Sequence, residues 1–93
     1  MSSIEIRVDT GGKDYIPHTF IIVTGDDGVE RGYGFAPAEH GSMTGPGNIF
    51  DDTDHEYNAS TGKIPLTPDG YRDLMDFINR SRENPPDYYL PFG

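Results

Sequence analysis

The 93 residues contain no cysteine and no tryptophan, and only seven lysines and arginines stand against sixteen acidic residues. Each shortage excludes something. Without cysteine there is no disulfide framework, no thiolate zinc site and no thiol nucleophile within the chain. A net charge of −9, with no basic residue between Arg31 and Lys63, excludes the clustered cations that hold phosphate backbones. Nucleic acid is therefore not an expected partner, and anionic membrane surfaces are disfavoured for the same reason. No apolar run approaches the roughly 20 residues needed to cross a bilayer, so no membrane insertion is expected. The start, Met1-Ser-Ser-Ile-Glu5, has neither a basic region nor an apolar stretch of signal-peptide type, so the expectation is synthesis in the cytoplasm without a signal peptide. Apolar residues make up only 33% of the chain. A single domain over residues 1–93 with a thin core is expected, and six Tyr and five Phe supply much of its buried area.

What is present reads as a small α+β domain, an antiparallel sheet with one main helix packed on it. Ile4, Ile6 and Val8 alternate with Glu5 and Arg7, the pattern of a half-buried strand with the aliphatic side inward. Asp9 to Lys13 reads as a turn. Pro17-His-Thr-Phe-Ile-Ile-Val-Thr24 is the strongest strand, rich in β-branched residues. Gly25-Asp-Asp-Gly28 then makes a tight turn into a return strand over Val29 to Phe35. Residues 36–62, rich in Gly, Pro, Asp, Asn, Ser and Thr, read as a long irregular segment anchored to the core by Ile49, Phe50 and Tyr57. Ile64-Pro-Leu66 is extended. Thr67 is an N-cap, Pro68 the first helical residue, and Asp69 sits in the first turn. Tyr71, Leu74, Met75 and Ile78 share one helical face, while Arg72, Asp76 and Arg80 form an opposite-sign ladder. Asn84-Pro-Pro86 ends the helix. The following Asp87-Tyr-Tyr-Leu-Pro-Phe-Gly93 is apolar and aromatic, and Tyr88 to Phe92 are suited to homo-oligomer contact.

Three groups of residues carry possible chemistry. His18 opens the strongest strand, a position from which an imidazole faces a groove as a general base; the competing reading is a strand-edge His with a local hydrogen bond. Asp51, Asp52 and Asp54, with Gly45-Pro-Gly47, His55 and Glu56 nearby, offer oxygen ligands for a hard cation such as calcium through the 45–57 loop. Their spacing is not that of an EF-hand, and a loop held by Asx-type hydrogen bonds is the alternative. None of Ser2, Ser3, Ser42, Ser60 and Ser81 lies in a nucleophile-elbow sequence. No cofactor is called for.

The order of Pro17-His-Thr-Phe-Ile-Ile-Val23, Gly32-Tyr-Gly-Phe-Ala-Pro37, Gly45-Pro-Gly47, Asp51-Asp52, His55, Tyr57, Ile64-Pro-Leu-Thr67, the helix and Asn84-Pro-Pro-Asp-Tyr-Tyr-Leu90 resembles the His-bearing N-terminal half of permuted papain-like (NlpC-type) domains. It looks most like the amidase or peptidase toxin domains of bacterial secreted effectors, type VI-associated ones included. The resemblance covers roughly residues 15–90. It implies that His18 is the general base of a cysteine hydrolase directed at peptidoglycan peptides, with Tyr33 on the return strand as a lesser site residue. It also implies that the cysteine comes from a missing C-terminal segment or a second chain, since the Asn-Cys helix of such domains has no counterpart here. Further implications are an immunity protein as partner and delivery into a target cell's periplasm. A non-catalytic acidic binding or structural module is the alternative.

Overall fold

The computed structural model describes residues 1–10, 17–37 and 44–89. It is an α+β domain, an antiparallel sheet with one helix packed on it. The strands are β1 (Ser3–Asp9), β2 (His18–Thr24), β3 (Glu30–Pro37), β4 (Thr44–Asp51), β5 (Ala59–Ser60), β6 (Ile64–Pro65) and β7 (Asp87–Tyr89), and α1 spans Pro68–Glu83. Their order across the sheet is β5-β1-β2-β3-β4-β7, and β6 also pairs with β1.

The β2–β3 hairpin forms as its sequence dictates. Gly28 donates its N–H to the Gly25 carbonyl at 3.0 Å and takes φ +80°, a conformation that glycine adopts without a side-chain clash. Asp27 Oδ1 accepts the Val29 N–H at 3.0 Å and closes the turn. The register sets Phe20 opposite Gly34, Ile21 opposite Tyr33 and Ile22 opposite Gly32. Directly opposed residues share a face, so His18, Phe20, Ile22, Gly32 and Gly34 lie on one side of the sheet and Ile21, Val23, Arg31 and Tyr33 on the other.

The helix also follows its local signals. Thr67 accepts the Gly70 N–H, Pro68 opens the helix, and Asn84 closes it by donating its N–H to the Arg80 carbonyl at 2.9 Å. Ile78 is its buried residue, with Tyr71, Leu74 and Met75 half-buried beside it. The expected Arg72, Asp76, Arg80 ladder does not form. Arg72 turns back to Asp69 at 3.2 Å and to Asp73 at 3.9 Å, and Arg80 Nε donates to the backbone carbonyl of Asp76.

Two further expectations are overturned. The stretch 36–62 is not irregular throughout, since Thr44–Asp51 forms an eight-residue strand paired on both sides, to β3 and to β7. Gly45, Pro46 and Gly47 hide it from a propensity reading. Gly47 belongs in this strand because a Cβ there would collide with the Phe35 ring and the Pro86 carbonyl. Of the proposed anchors, Ile49 is half-buried, while Phe50 and Tyr57 are exposed. The second reversal is in β1. Glu5 is buried at 7% exposure, whereas Ile6 is 37% exposed. The side of β1 that carries Ser3, Glu5 and Arg7 is the one covered by the 52–63 segment, so the alternating aliphatic side is not the better buried one.

That covering segment runs back along β1 as an edge. β5 pairs Ser60 with Arg7, and β6 pairs Ile64 with Ile4, so one extra residue lies between the two registers. This is a bulge, with Gly62 at φ +72° and Thr61 accepting the Ile6 N–H on its hydroxyl. It twists and shortens the edge strand, which guards against edge-to-edge pairing. The Asp9–Lys13 turn beyond Thr10 and the aromatic end from Leu90 lie outside the described residues; Tyr88 and Tyr89 belong to β7.

Candidate functional site

At the end of β4 the chain turns over the His18 face of the sheet. Asp52 donates its N–H to the Gly32 carbonyl at 3.0 Å, and Gly32 donates its N–H to Thr53 Oγ1 at 3.0 Å. Asp51 Oδ1 accepts from both the N–H and the hydroxyl of Thr53, an Asx turn that sets the bend. A Cβ on Gly32 would strike the backbone of Asp52 and Thr53. The glycine thus makes the space through which the chain crosses.

The crossing delivers Asp52 to His18. His18 Nε2–H donates to Asp52 Oδ2 at 2.7 Å, a short bond of the charge-assisted kind. A Cβ on Gly34 would overlap that carboxylate and press on the imidazole. Gly32 and Gly34, opposite Ile22 and Phe20, are therefore both cut away on the side where the pair forms. The His18 side chain is 26% exposed and that of Asp52 12%. In the neutral ring Nε2 carries the proton given to Asp52, so Nδ1 keeps a lone pair able to accept one.

Two aromatic neighbours fix the ring. Phe20, two residues on along the same face, stacks with it at 5.6 Å between centroids, and His55 tilts over both rings at 4.8 Å from His18 and 5.1 Å from Phe20. His55 Nδ1–H donates to the Glu56 carbonyl at 2.7 Å and lies 3.9 Å from Asp9 Oδ2. Asp9 is the β1 residue opposite His18 in the ladder. Beyond this group, Arg7 lies over the Tyr57 ring at 4.1 Å and pairs with Glu5 at 2.9 Å, and Ser60 donates its hydroxyl to Glu5. The Glu5 carboxyl is held below its ordinary value, first by the hydrogen bond from Arg7 and then by that from Ser60.

Of the sequence-derived site residues, His18 opens β2 and its side chain is partly exposed. Tyr33 does not join it: opposite Ile21 in the ladder, it points to the other face of the sheet. Asp51, Asp52 and Asp54 do not converge. Asp52 is taken by His18, Asp51 is held by Thr53, and among the described residues no group of three or more His, Asp or Glu side chains is placed to hold a metal ion. The Asx-type loop stands in its place. Asp52 as the partner of His18 was not legible beforehand, because 34 residues separate the two and only the turn at the end of β4 joins them.

No family model matches the chain, and neither a curated protein nor a solved structure matches it.

Proposed function

We propose that His18 and Asp52 are the base and its orienting carboxylate in a cysteine amidase or peptidase whose sulfur lies outside these 93 residues. The observation that carries this reading is the 2.7 Å bond from His18 Nε2 to Asp52 Oδ2 on a ring still 26% exposed. A nucleophile, a base and a third group that orients the base form the recurring unit of acyl-transfer catalysis. The His18–Asp52 geometry fits two of those three roles. Nδ1 of His18 would take the thiol proton as the thiolate adds to the scissile carbonyl carbon. The same proton would then pass to the departing amine as the C–N bond breaks, and water would release the acyl group from sulfur. Asp52 keeps the ring in the tautomer that leaves Nδ1 available and stabilises the imidazolium.

The geometry bears on how the sulfur would arrive. β3 and β4 lie between β2 and β7, so β7 stands three strand spacings from His18, about 14 Å. A segment following β7 would have to fold back across two strands to reach the imidazole. Peptides of peptidoglycan are the proposed substrate class, and an antibacterial effector the proposed role.

The test uses the full gene product together with any polypeptide that co-purifies with it, assayed for release of peptides or free amines from peptidoglycan. The expected result is thiol-dependent hydrolysis, blocked by iodoacetamide and lost by about 10³-fold or more in His18→Ala. A preparation with no cysteine-bearing polypeptide, or hydrolysis indifferent to both treatments, overturns the reading.

A second reading is favoured by one observation: the same Asp52 is the residue that starts the crossing over Gly32. The pair would then be a clasp that holds the covering segment in a non-catalytic binding module. In that case His18→Ala lowers the melting temperature, and no hydrolysis is found to lose.

A further inference from the structure

We propose that a groove on the helix side of the sheet binds a small organic anion, with Arg31 and Arg82 holding its carboxylate or phosphate. The groove consists of two adjoining cavities of about 130 and 280 Å³ that share Arg31, Tyr33 and Arg82. The larger is close to the lower bound of small-ligand pockets, roughly 300 Å³. The larger cavity lies on the face opposite His18 and takes no residue of the His18–Asp52 pair, so its ligand is tested apart from the hydrolase reading.

The charge pattern singles the groove out. In a chain of net charge −9 the cations are few, and the other described ones are engaged. Arg7 pairs with Glu5, Lys63 with Glu30 and Arg72 with Asp69, while Arg80 donates to a helix carbonyl. Among the described residues the side chains of Arg31 and Arg82 make no hydrogen bond and no ion pair within 4 Å. Both line the same groove beside Asp51, whose carboxyl is held low first by its bonds from Thr53 and then with help from their charges. Two carboxylates also line it, yet each has other work. Asp51 Oδ1 accepts from Thr53, and Asp27 Oδ1 accepts from the Val29 N–H. The two guanidinium forks thus keep donors without a hydrogen-bond partner among the described residues, and their planar geometry matches a carboxylate or a phosphate monoester.

The walls define the rest of the ligand. Val23, Tyr33, Tyr71 and Met75 contribute apolar and aromatic surface to the larger cavity, whose lining is otherwise polar. Asp27 and Asp51 oppose a second negative charge, and the net charge of −9 repels polyanions. The ligand class is therefore a single anionic head on an aromatic or alkyl body.

The test is a chemical-shift titration of the full chain with benzoate, phenyl phosphate and, as the neutral control, benzamide. Benzoate or phenyl phosphate is expected to shift resonances of Arg31, Tyr33, Tyr71 and Arg82, and to bind about tenfold or more tightly than benzamide. The order of the two anions identifies the head group. Arg31→Gln and Arg82→Gln are each expected to weaken anion binding about tenfold, while Arg72→Gln leaves it unchanged. Arg82→Lys keeps the charge but not the fork and is expected to fall between wild type and Arg82→Gln, which serves if the Gln variant unfolds. Benzamide binding as tightly as the anions, no shift with any probe, or full affinity in both Gln variants would overturn the proposal.

Discussion

The two faces of the sheet are closed by opposite means. On one, the helix lays Ile78 and its half-buried neighbours against the strands, an apolar contact between regular elements. On the other, a segment with a single two-residue strand, residues 52–63, covers Phe20, Ile22 and Glu5; Asp52 and Ser60 fasten it as hydrogen-bond donors, and the Thr53 and Thr61 hydroxyls accept backbone N–H groups of the sheet. Phe20 and Ile22, the most completely buried large side chains, lie under the segment and not under the helix. In this domain the irregular cover closes the tighter core. It does so because Gly32 and Gly34 let backbone and carboxylate approach closer than any side chain would permit.

The sharpest way to break that comparison is to empty each side in turn. Phe20→Ala should cost about 3–5 kcal/mol and Ile78→Ala about 2–5, with Phe20 the larger because its ring is fully enclosed. A domain of this size has only a few kcal/mol in hand, so Phe20→Ala is expected to be largely unfolded at room temperature. Urea titration followed by tyrosine fluorescence measures both. A larger loss for Ile78→Ala would reverse the assignment of the main core.

Gly32→Ala tests the crossing itself and is expected to cost about 1–3 kcal/mol, the range for forcing extra volume into a packed site. The new methyl meets the backbone of Asp52 and Thr53, which cannot swing aside as a flexible side chain would. Loss of the short His18–Asp52 bond should accompany it, visible as a change in the His18 ring resonances. Gly45→Ala makes a useful contrast, since its Cβ would enter open space and its cost would come from φ +117° alone. An unperturbed His18 in Gly32→Ala would show that the crossing does not depend on the glycine.

The contrast between the faces also marks what the amino-acid order reveals. The helix, its cap and the β2–β3 hairpin were legible because their signals are local: a Thr-Pro-Asp start, a 3.6-residue repeat, a Gly-Asp-Asp-Gly turn. β4 was not legible, since Gly45, Pro46 and Gly47 argue against a strand until the Phe35 ring and the Pro86 carbonyl are seen pressing on it. The burial of Glu5 over Ile6 was equally hidden. Alternation shows that β1 has two faces but not which neighbour covers each. Of the candidate site, the position of His18 at the head of an apolar strand was readable. Its partner was not, because the Asp52 contact depends on a turn set by Thr53 and on room left by two glycines across the sheet.

The mildest test concerns the polar fastening alone. Glu5 is held below its ordinary value of 4.5 by hydrogen bonds from Arg7 and Ser60, so its ionised form favours the folded state. A carboxyl lowered in this way contributes stability that is fully present above the ordinary value and is lost as pH falls through the folded one. Unfolding free energy should therefore decline with acid below about pH 4.5, and Glu5→Gln should flatten part of that decline while lowering stability at neutral pH, where Arg7 loses its counter-ion. Asp51, also lowered by its bonds from Thr53, adds to the same acid slope but is exposed. Its removal should change stability at neutral pH less than Glu5→Gln does. Urea titrations at several pH values between neutrality and the acid limb would separate the two. If Glu5→Gln left both the slope and the neutral stability unchanged, the Arg7–Glu5–Ser60 group would be filling space on this face without fastening it.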